Sequence, residues 1–219
     1  KVRNMYSRLI QTGLVLIAGL FGGELNADSF SDPIEKEQTV FHRFETERFD
    51  QEPILSPDGG QIAFIHVQGR DIFRRRLWIM DRDGGNARPL TNDPEPHFEA
   101  YPRWSPDGRY IAYTSNLGGD THVWIISPEG GEPVRITDRH LGQTFGVLSD
   151  WSPDSRSLVV NTISSQPNQL LSYPVGGGEP DTLFSSGEIF WPTWSPDGGT
   201  ILFASIAHEK GNVWAMPAS

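Results

Sequence analysis

The stretch Tyr101-Pro102-Arg103-Trp104-Ser105-Pro106-Asp107-Gly108-Arg109-Tyr110-Ile111-Ala112-Tyr113-Thr114 decides the fold. Tyr101 to Trp104 is a short apolar run. In Ser105 to Gly108, proline presets φ for the first central position of a turn, aspartate tolerates the second and glycine accepts the position after. Tyr110 to Thr114 is β-branched and aromatic, the composition of a strand buried on both faces. Beyond it, Leu117-Gly118-Gly119-Asp120 predicts a second turn and His122 to Ile126 a third strand. Pro128-Glu129-Gly130-Gly131 predicts a third turn and Pro133 to Thr137 a fourth strand. Four short antiparallel strands joined by tight turns make one propeller blade.

The pattern recurs. Ser56-Pro57-Asp58-Gly59, Ser152-Pro153-Asp154-Ser155 and Ser195-Pro196-Asp197-Gly198 repeat the turn, and Trp104, Trp151 and Trp194 precede the last three copies. Repeats at intervals of about 45 residues mark a solenoid, a propeller or an array. The first copy continues with strands at Gln61 to Val67, Leu77 to Asp81 and Arg88 to Thr91, and the third with Ser157 to Thr162, Gln169 to Tyr173 and Pro180 to Phe184. The fourth offers Thr200 to Ser205 and Asn212 to Met216, without a fourth strand. The fold expected is all-β: a β-propeller of four-stranded blades, about four of them present and the last incomplete.

Trp-Ser-Pro-Asp-Gly followed by Ile111-Ala112-Tyr113, then Val123-Trp124-Ile125-Ile126, then Gly-Gly-x-Pro-x-x-Ile136-Thr137, resembles the repeat of the TolB-type, WD-like propellers. The resemblance covers residues 50–219, and the same repeat is similar to those of tricorn-like and prolyl-oligopeptidase-like peptidases. TolB itself carries an α/β domain ahead of its propeller, whereas here residues 28–50 alone separate the N-terminal segment from the first blade. The resemblance implies a ring of more than four blades, so a truncated chain is expected. Gln38 to Thr46 reads as one strand that either supplies the outer strand of a final blade or caps the first.

The N-terminus is of another kind. Arg8 precedes the apolar run Leu9 to Gly23, and Leu25-Asn26-Ala27 has the form of a secretory cleavage site before Asp28. The run is short against the roughly 20 residues of a membrane span, yet an uncleaved anchor stays open because Leu25 is bulky for its position. The domain plan is therefore a signal peptide over 1–27, a linker with a possible ring-closing strand over 28–50 and a partial propeller over 51–219. A periplasmic or secreted location follows, with membrane contact only through the N-terminal signal if it is uncleaved. With no cysteine in 219 residues, no disulfide framework is expected. The formal charge of −10 argues against a nucleic-acid partner, whose phosphates need a basic footprint.

Chemistry is sparse. No Gly-x-Ser-x-Gly elbow is present, His208-Glu209 lacks the second histidine of a zinc helix, and Asp81 to Gly84 lacks the downstream glutamate of a calcium loop. Asp58, Asp107, Asp154 and Asp197 are expected to bond backbone amides within their own turns. No catalytic, cofactor-binding or metal-binding residue is assigned. The inter-blade connections are the expected recognition surface, with Glu95, His97, Phe98, Glu99, Arg139, His140, Phe145 and Phe190 as candidate partner-binding residues. The leading function is a non-enzymatic periplasmic scaffold for protein interaction. Through the family resemblance it implies a role in the cell envelope, with a partner such as a peptidoglycan-associated lipoprotein. The alternative is the substrate-gating propeller of an exported hydrolase, a peptidase or an amidohydrolase, whose own catalytic domain is then the partner. A carbohydrate-binding propeller is a third reading, with Phe98, Phe145 and Phe190 as its exposed aromatics.

Overall fold

Turn chemistry and strand composition act together along the whole described chain. The computed structural model describes residues 49–67, 74–92, 97–139, 141, 149–163, 167–186, 188–207 and 210–218, all within the second of two units, Lys1–Phe41 and His42–Ser219. The signal segment, the Gln38 to Thr46 strand, Glu95, His140 and Phe145 lie outside them. The described residues form fifteen strands and no helix.

Four antiparallel sheets follow one another in chain order. The first holds β1 (Phe49–Leu55), β2 (Gln61–Val67), β3 (Arg75–Asp81) and β4 (Arg88–Pro89). The second holds β5 (Glu99–Trp104), β6 (Ile111–Ser115), β7 (His122–Ile126) and β8 (Val134–Arg135). The third holds β9 (Ser149–Trp151), β10 (Ser157–Asn161), β11 (Asn168–Pro174) and β12 (Asp181–Ser186). The fourth has three strands, β13 (Glu188–Trp194), β14 (Thr200–Ala207) and β15 (Lys210–Pro217). The first strands β1, β5, β9 and β13 pack against one another in sequence and form the inner row of the blades. The first and fourth sheets share no packed pair of strands, so the described residues do not close a ring.

Each Ser-Pro-Asp turn is a closed hydrogen-bond cycle. The serine hydroxyl donates to the aspartate Oδ1 at 2.5–2.7 Å in all four copies. The same Oδ1 accepts the amide two residues on, and the serine Oγ accepts the amide five residues on, opening the second strand. The aspartates therefore bond backbone amides within their own turns, and short polar side chains can impose a turn in this way. The fourth turn residue needs a left-handed backbone. Glycine supplies it in three copies, and Ser155 takes it at φ 61°.

The outer strands of the first two blades are shorter than the sequence predicts. The next amide of each neighbouring strand is taken by a side chain: the Leu77 amide donates to Glu99 Oε2 and the Val123 amide to Thr137 Oγ1. One more backbone bond continues each edge nonetheless: the Leu90 amide donates to the Leu77 carbonyl and the Ile136 amide to the Val123 carbonyl, both at 2.9 Å.

The core lies between sheets. Ala63, Ile65, Leu77 and Ile79 of the first meet Trp104, Ile111, Tyr113 and Ile126 of the second. Ala112, Val123 and Ile125 meet Trp151, Leu158, Val160 and Tyr173 of the third, and Val159 and Leu170 meet Ile189, Ile201 and Phe203 of the fourth. Central strand β6 is buried along its full length, which explains its unbroken apolar reading. Indole nitrogens add polar ties: Trp104 Nε1 donates to the Ile54 carbonyl at 3.2 Å and Trp151 Nε1 to the Arg103 carbonyl at 3.0 Å. Trp194 Nε1, at the equivalent place, is buried without a hydrogen-bond partner.

Candidate functional site

The inner strands carry a repeated distortion. The ladder shifts register between Gln51 and Ile54, between Ala100 and Arg103, and between Phe190 and Thr193. In each shift the residue four before the turn serine is left-handed: Glu52 at φ 56°, Tyr101 at φ 58° and Trp191 at φ 51°. For a bulky L-residue that backbone costs about 1–2 kcal/mol. Bulges of this kind re-aim a side chain, and such strain clusters at functional places.

The three residues meet different surroundings. Glu52 accepts the Tyr101 amide of the next blade and lies 3.5 Å from the Arg75 guanidinium. Burial raises its pKa above the ordinary carboxylate value, against the pull of the Tyr101 amide and of Arg75 and Arg103. Tyr101 is half-buried. Trp191 is 55% exposed, and its ring lies 5.7 Å from that of Phe190. Asp150 accepts the Thr193 hydroxyl at 2.8 Å and the Trp194 amide at 3.0 Å, a second carboxylate that clasps the following blade.

A third clasp joins the first two blades. Glu99 is 1% exposed, and its Oε2 accepts the Thr91 hydroxyl and the Leu77 amide of the preceding blade. Its Oε1 lies 2.6 Å from His97 Nε2. The Phe98 ring is fully buried under the Arg75 guanidinium, 5.0 Å from the ring centroid, and the Phe98 amide donates to Asn116 Oδ1 at 2.7 Å. In the next blade the Val123 amide goes instead to its own Thr137 Oγ1, which also lies 3.0 Å from His122 Nδ1.

The structure thus places the sequence candidates unevenly. His97, Phe98 and Glu99 are brought together, but beneath the surface, where they fix the inter-blade connection. Arg139 is exposed, with Nε 3.4 Å from Asp138. Tyr173 donates to the same Asp138 carboxylate, and burial followed by that bond raises the tyrosine pKa. Phe190 is half-buried beside Trp191. Trp191 itself escaped sequence reasoning. Its signal was present: a proline follows the bulge residue in three copies, as Glu52-Pro53, Tyr101-Pro102 and Trp191-Pro192.

A propeller of blades built on this turn is the class that fold and inner strands define. The chain belongs to the TolB beta propeller domain family, whose model matches residues 36–219. It is 34% identical over 113 residues to the uncharacterized peptidase YuxL of Bacillus subtilis, covering 50% of this chain and 16% of that protein. It is also 34% identical over 90 residues to the oligogalacturonide lyase of Pectobacterium atrosepticum, covering 41% of this chain and 22% of that protein. The fold matches the crystal structure of TolB from Acinetobacter baumannii with a TM-score of 0.63 at 18% identity, covering 78% of this chain and 41% of that one. The chain spans half or less of the length of the curated relatives it matches.

Proposed function

We propose that this propeller is a non-enzymatic scaffold for protein interaction in the bacterial periplasm, acting in cell-envelope function as the TolB-type resemblance implies. The observation that carries the reading is the use of its inner carboxylates. Glu52, Glu99 and Asp150 each accept a backbone amide from a neighbouring blade. A carboxylate held that way fixes blade geometry; a general acid or base needs its oxygens free toward substrate. The inner strands present instead an aromatic surface, the exposed Trp191 with Phe190 beside it. Aromatic side chains on rigid strands are the common anchors of protein recognition. The apolar segment Leu9 to Gly23 and the cleavage pattern at Ala27 support export.

Affinity capture from a periplasmic extract tests this. The protein retains an envelope protein, and Trp191→Ser loses it while keeping its thermal midpoint; equal retention by both proteins refutes the assignment of Trp191.

A second reading is favoured by one observation. The sequence relatives include the peptidase YuxL, at 34% identity over 113 residues, and a tricorn protease homolog, at 33% over 110. On that reading the propeller gates a hydrolase, and its partner is a catalytic domain of the same protein. Sequencing the coding frame on both sides of these residues decides between them. A nucleophile elbow or a metal-ligand cluster in the frame supports gating; its absence from the complete frame refutes it.

A further inference from the structure

The residues two before each turn serine form one row along the inner strands: Ile54, Arg103, Asp150 and Thr193. Strands β1, β5, β9 and β13 pack in sequence, so neighbours in the row approach one another across blades. Asp150 shows the contact, since its Oδ2 accepts the Thr193 hydroxyl and the Trp194 amide of the following blade. Arg103 is the cation of this row and is half-buried.

The donors of Arg103 are hardly used. A guanidinium carries several N–H groups in a rigid fork that matches a carboxylate. Among the described residues, the Arg103 side chain makes one hydrogen bond, from Nη1 to the adjoining Pro102 carbonyl at 2.9 Å, and no ion pair. The two acidic groups beside it are committed elsewhere. Asp150 turns to the fourth blade, and Glu52 accepts the Tyr101 amide and faces Arg75. Arg75 shows what a guanidinium of these inner strands takes up when it is satisfied. Its Nη2 donates to Gln51 Oε1 at 2.9 Å, its Nη1 lies 3.5 Å from the Glu52 carboxylate, and its plane lies over the Phe98 ring. A half-desolvated guanidinium without such a partner gains most from a carboxylate, because charge-assisted pairs are the strong ones. Glu52 and Asp150 nearby, in a chain of charge −10, repel a polyanion and leave room for one negative charge.

We propose that Arg103 is a specificity-determining residue of the inner strands, where it binds a single acidic side chain borne on a segment of the protein partner. This rests on the reading of the inner strands as a protein-recognition surface and adds the charge of what is recognised. An internal aspartate or glutamate is the source of the carboxylate, as Glu52 is for Arg75.

The test selects random peptides displayed on phage against the immobilised protein. The parent is expected to enrich peptides that share one aspartate or glutamate. Arg103→Gln should lose that preference, and Arg103→Glu should exchange it for lysine or arginine at the same place. An enriched peptide, resynthesised, should bind the parent about tenfold or more tightly than the same peptide with the acid replaced by its amide. Blocking its C-terminus as an amide should change nothing. Arg103→Lys keeps the charge without the fork, so its affinity should fall between those of the parent and Arg103→Gln. The peptide comparison uses the parent protein alone and stands even where a variant fails to fold. An acidic preference that survives Arg103→Gln overturns the proposal. So does a selection without acidic preference, or a peptide held by its terminal carboxylate in place of a side chain. Trp191→Ser separates the two claims. Peptides that need Trp191 and ignore Arg103 leave the recognition surface standing and sink this proposal, whereas peptides that ignore both sink both.

Discussion

Replacing Glu99 by alanine should unfold the junction between the first two blades more readily than any other single change to a side chain in the described inter-blade connections. The carboxylate is 1% exposed and receives the Thr91 hydroxyl, the Leu77 amide and a contact from His97 Nε2 at 2.6 Å. A hydrogen bond to a charged group is worth about 1.5 kcal/mol or more, so three together give roughly 4 kcal/mol. Alanine leaves the two protein donors buried without an acceptor, which keeps the loss near that figure. For a domain of this size each kcal/mol moves the midpoint by about 2–4 °C, so Glu99→Ala should melt about 8–16 °C lower by circular dichroism or calorimetry. Glu99→Gln retains one acceptor oxygen and should fall about half as far. The exposed Glu129 serves as control, because its replacement by alanine should stay within about 0.5 kcal/mol. A Glu99→Ala midpoint within about 2 °C of the parent would refute the reasoning, since the clasp would then contribute nothing measurable.

Further outcomes are expected at the turns and ties. Ser155→Gly and Ser155→Ala both remove the Oγ that accepts the Asp107 amide at 3.1 Å, but only alanine keeps the left-handed strain, so the glycine variant should be the more stable of the two by about 1 kcal/mol; chemical denaturation ranks them. Trp151→Phe removes the indole donor to the Arg103 carbonyl and should cost about 1–2 kcal/mol in the same assay. Acid sensitivity should come from the turns. The Ser56, Ser152 and Ser195 hydroxyls, each followed by a backbone amide, hold the Asp58, Asp154 and Asp197 carboxyls below their ordinary value. At Asp107 burial opposes ionisation, but the Ser105 hydroxyl and Arg109 outweigh it. A depressed folded pKa gives stability above the unfolded value of about 3.9 that is lost as pH falls through the folded one. Urea midpoints should therefore drop below about pH 4, and Asp154→Asn should shrink that drop. Glu52 has the opposite sign, because burial raises its pKa: stability declines as pH rises from its unfolded value through its folded one. Glu52→Gln should abolish that slope.

Much of this fold is legible in the sequence, because each blade is specified locally and four times. The Ser-Pro-Asp turns close their own hydrogen bonds, and the strands between them carry unbroken apolar runs. What escapes a linear reading is whatever depends on the neighbouring blade. His97, Phe98 and Glu99 look like a polar and aromatic recognition loop, and only the approach of Leu77, Thr91 and Arg75 from the preceding sheet buries them. The prominence of Trp191 depends likewise on a bulge whose left-handed residue no propensity announces, although the recurring proline after it marks the position. The outer strands fall short for a related reason, since the Glu99 and Thr137 side chains take the Leu77 and Val123 amides that would extend each edge ladder.

The central claim is that this propeller recognises a protein partner through the aromatic surface of its inner strands. The most direct measurement is quantitative capture from a periplasmic extract by the parent protein, by Trp191→Ser and by Arg139→Ser, with bound proteins identified by mass spectrometry. The account predicts one envelope protein retained by the parent and by Arg139→Ser and lost, by about tenfold or more, with Trp191→Ser, in keeping with the weight that buried aromatic anchors carry in interfaces. Retention that does not change with Trp191→Ser would contradict it.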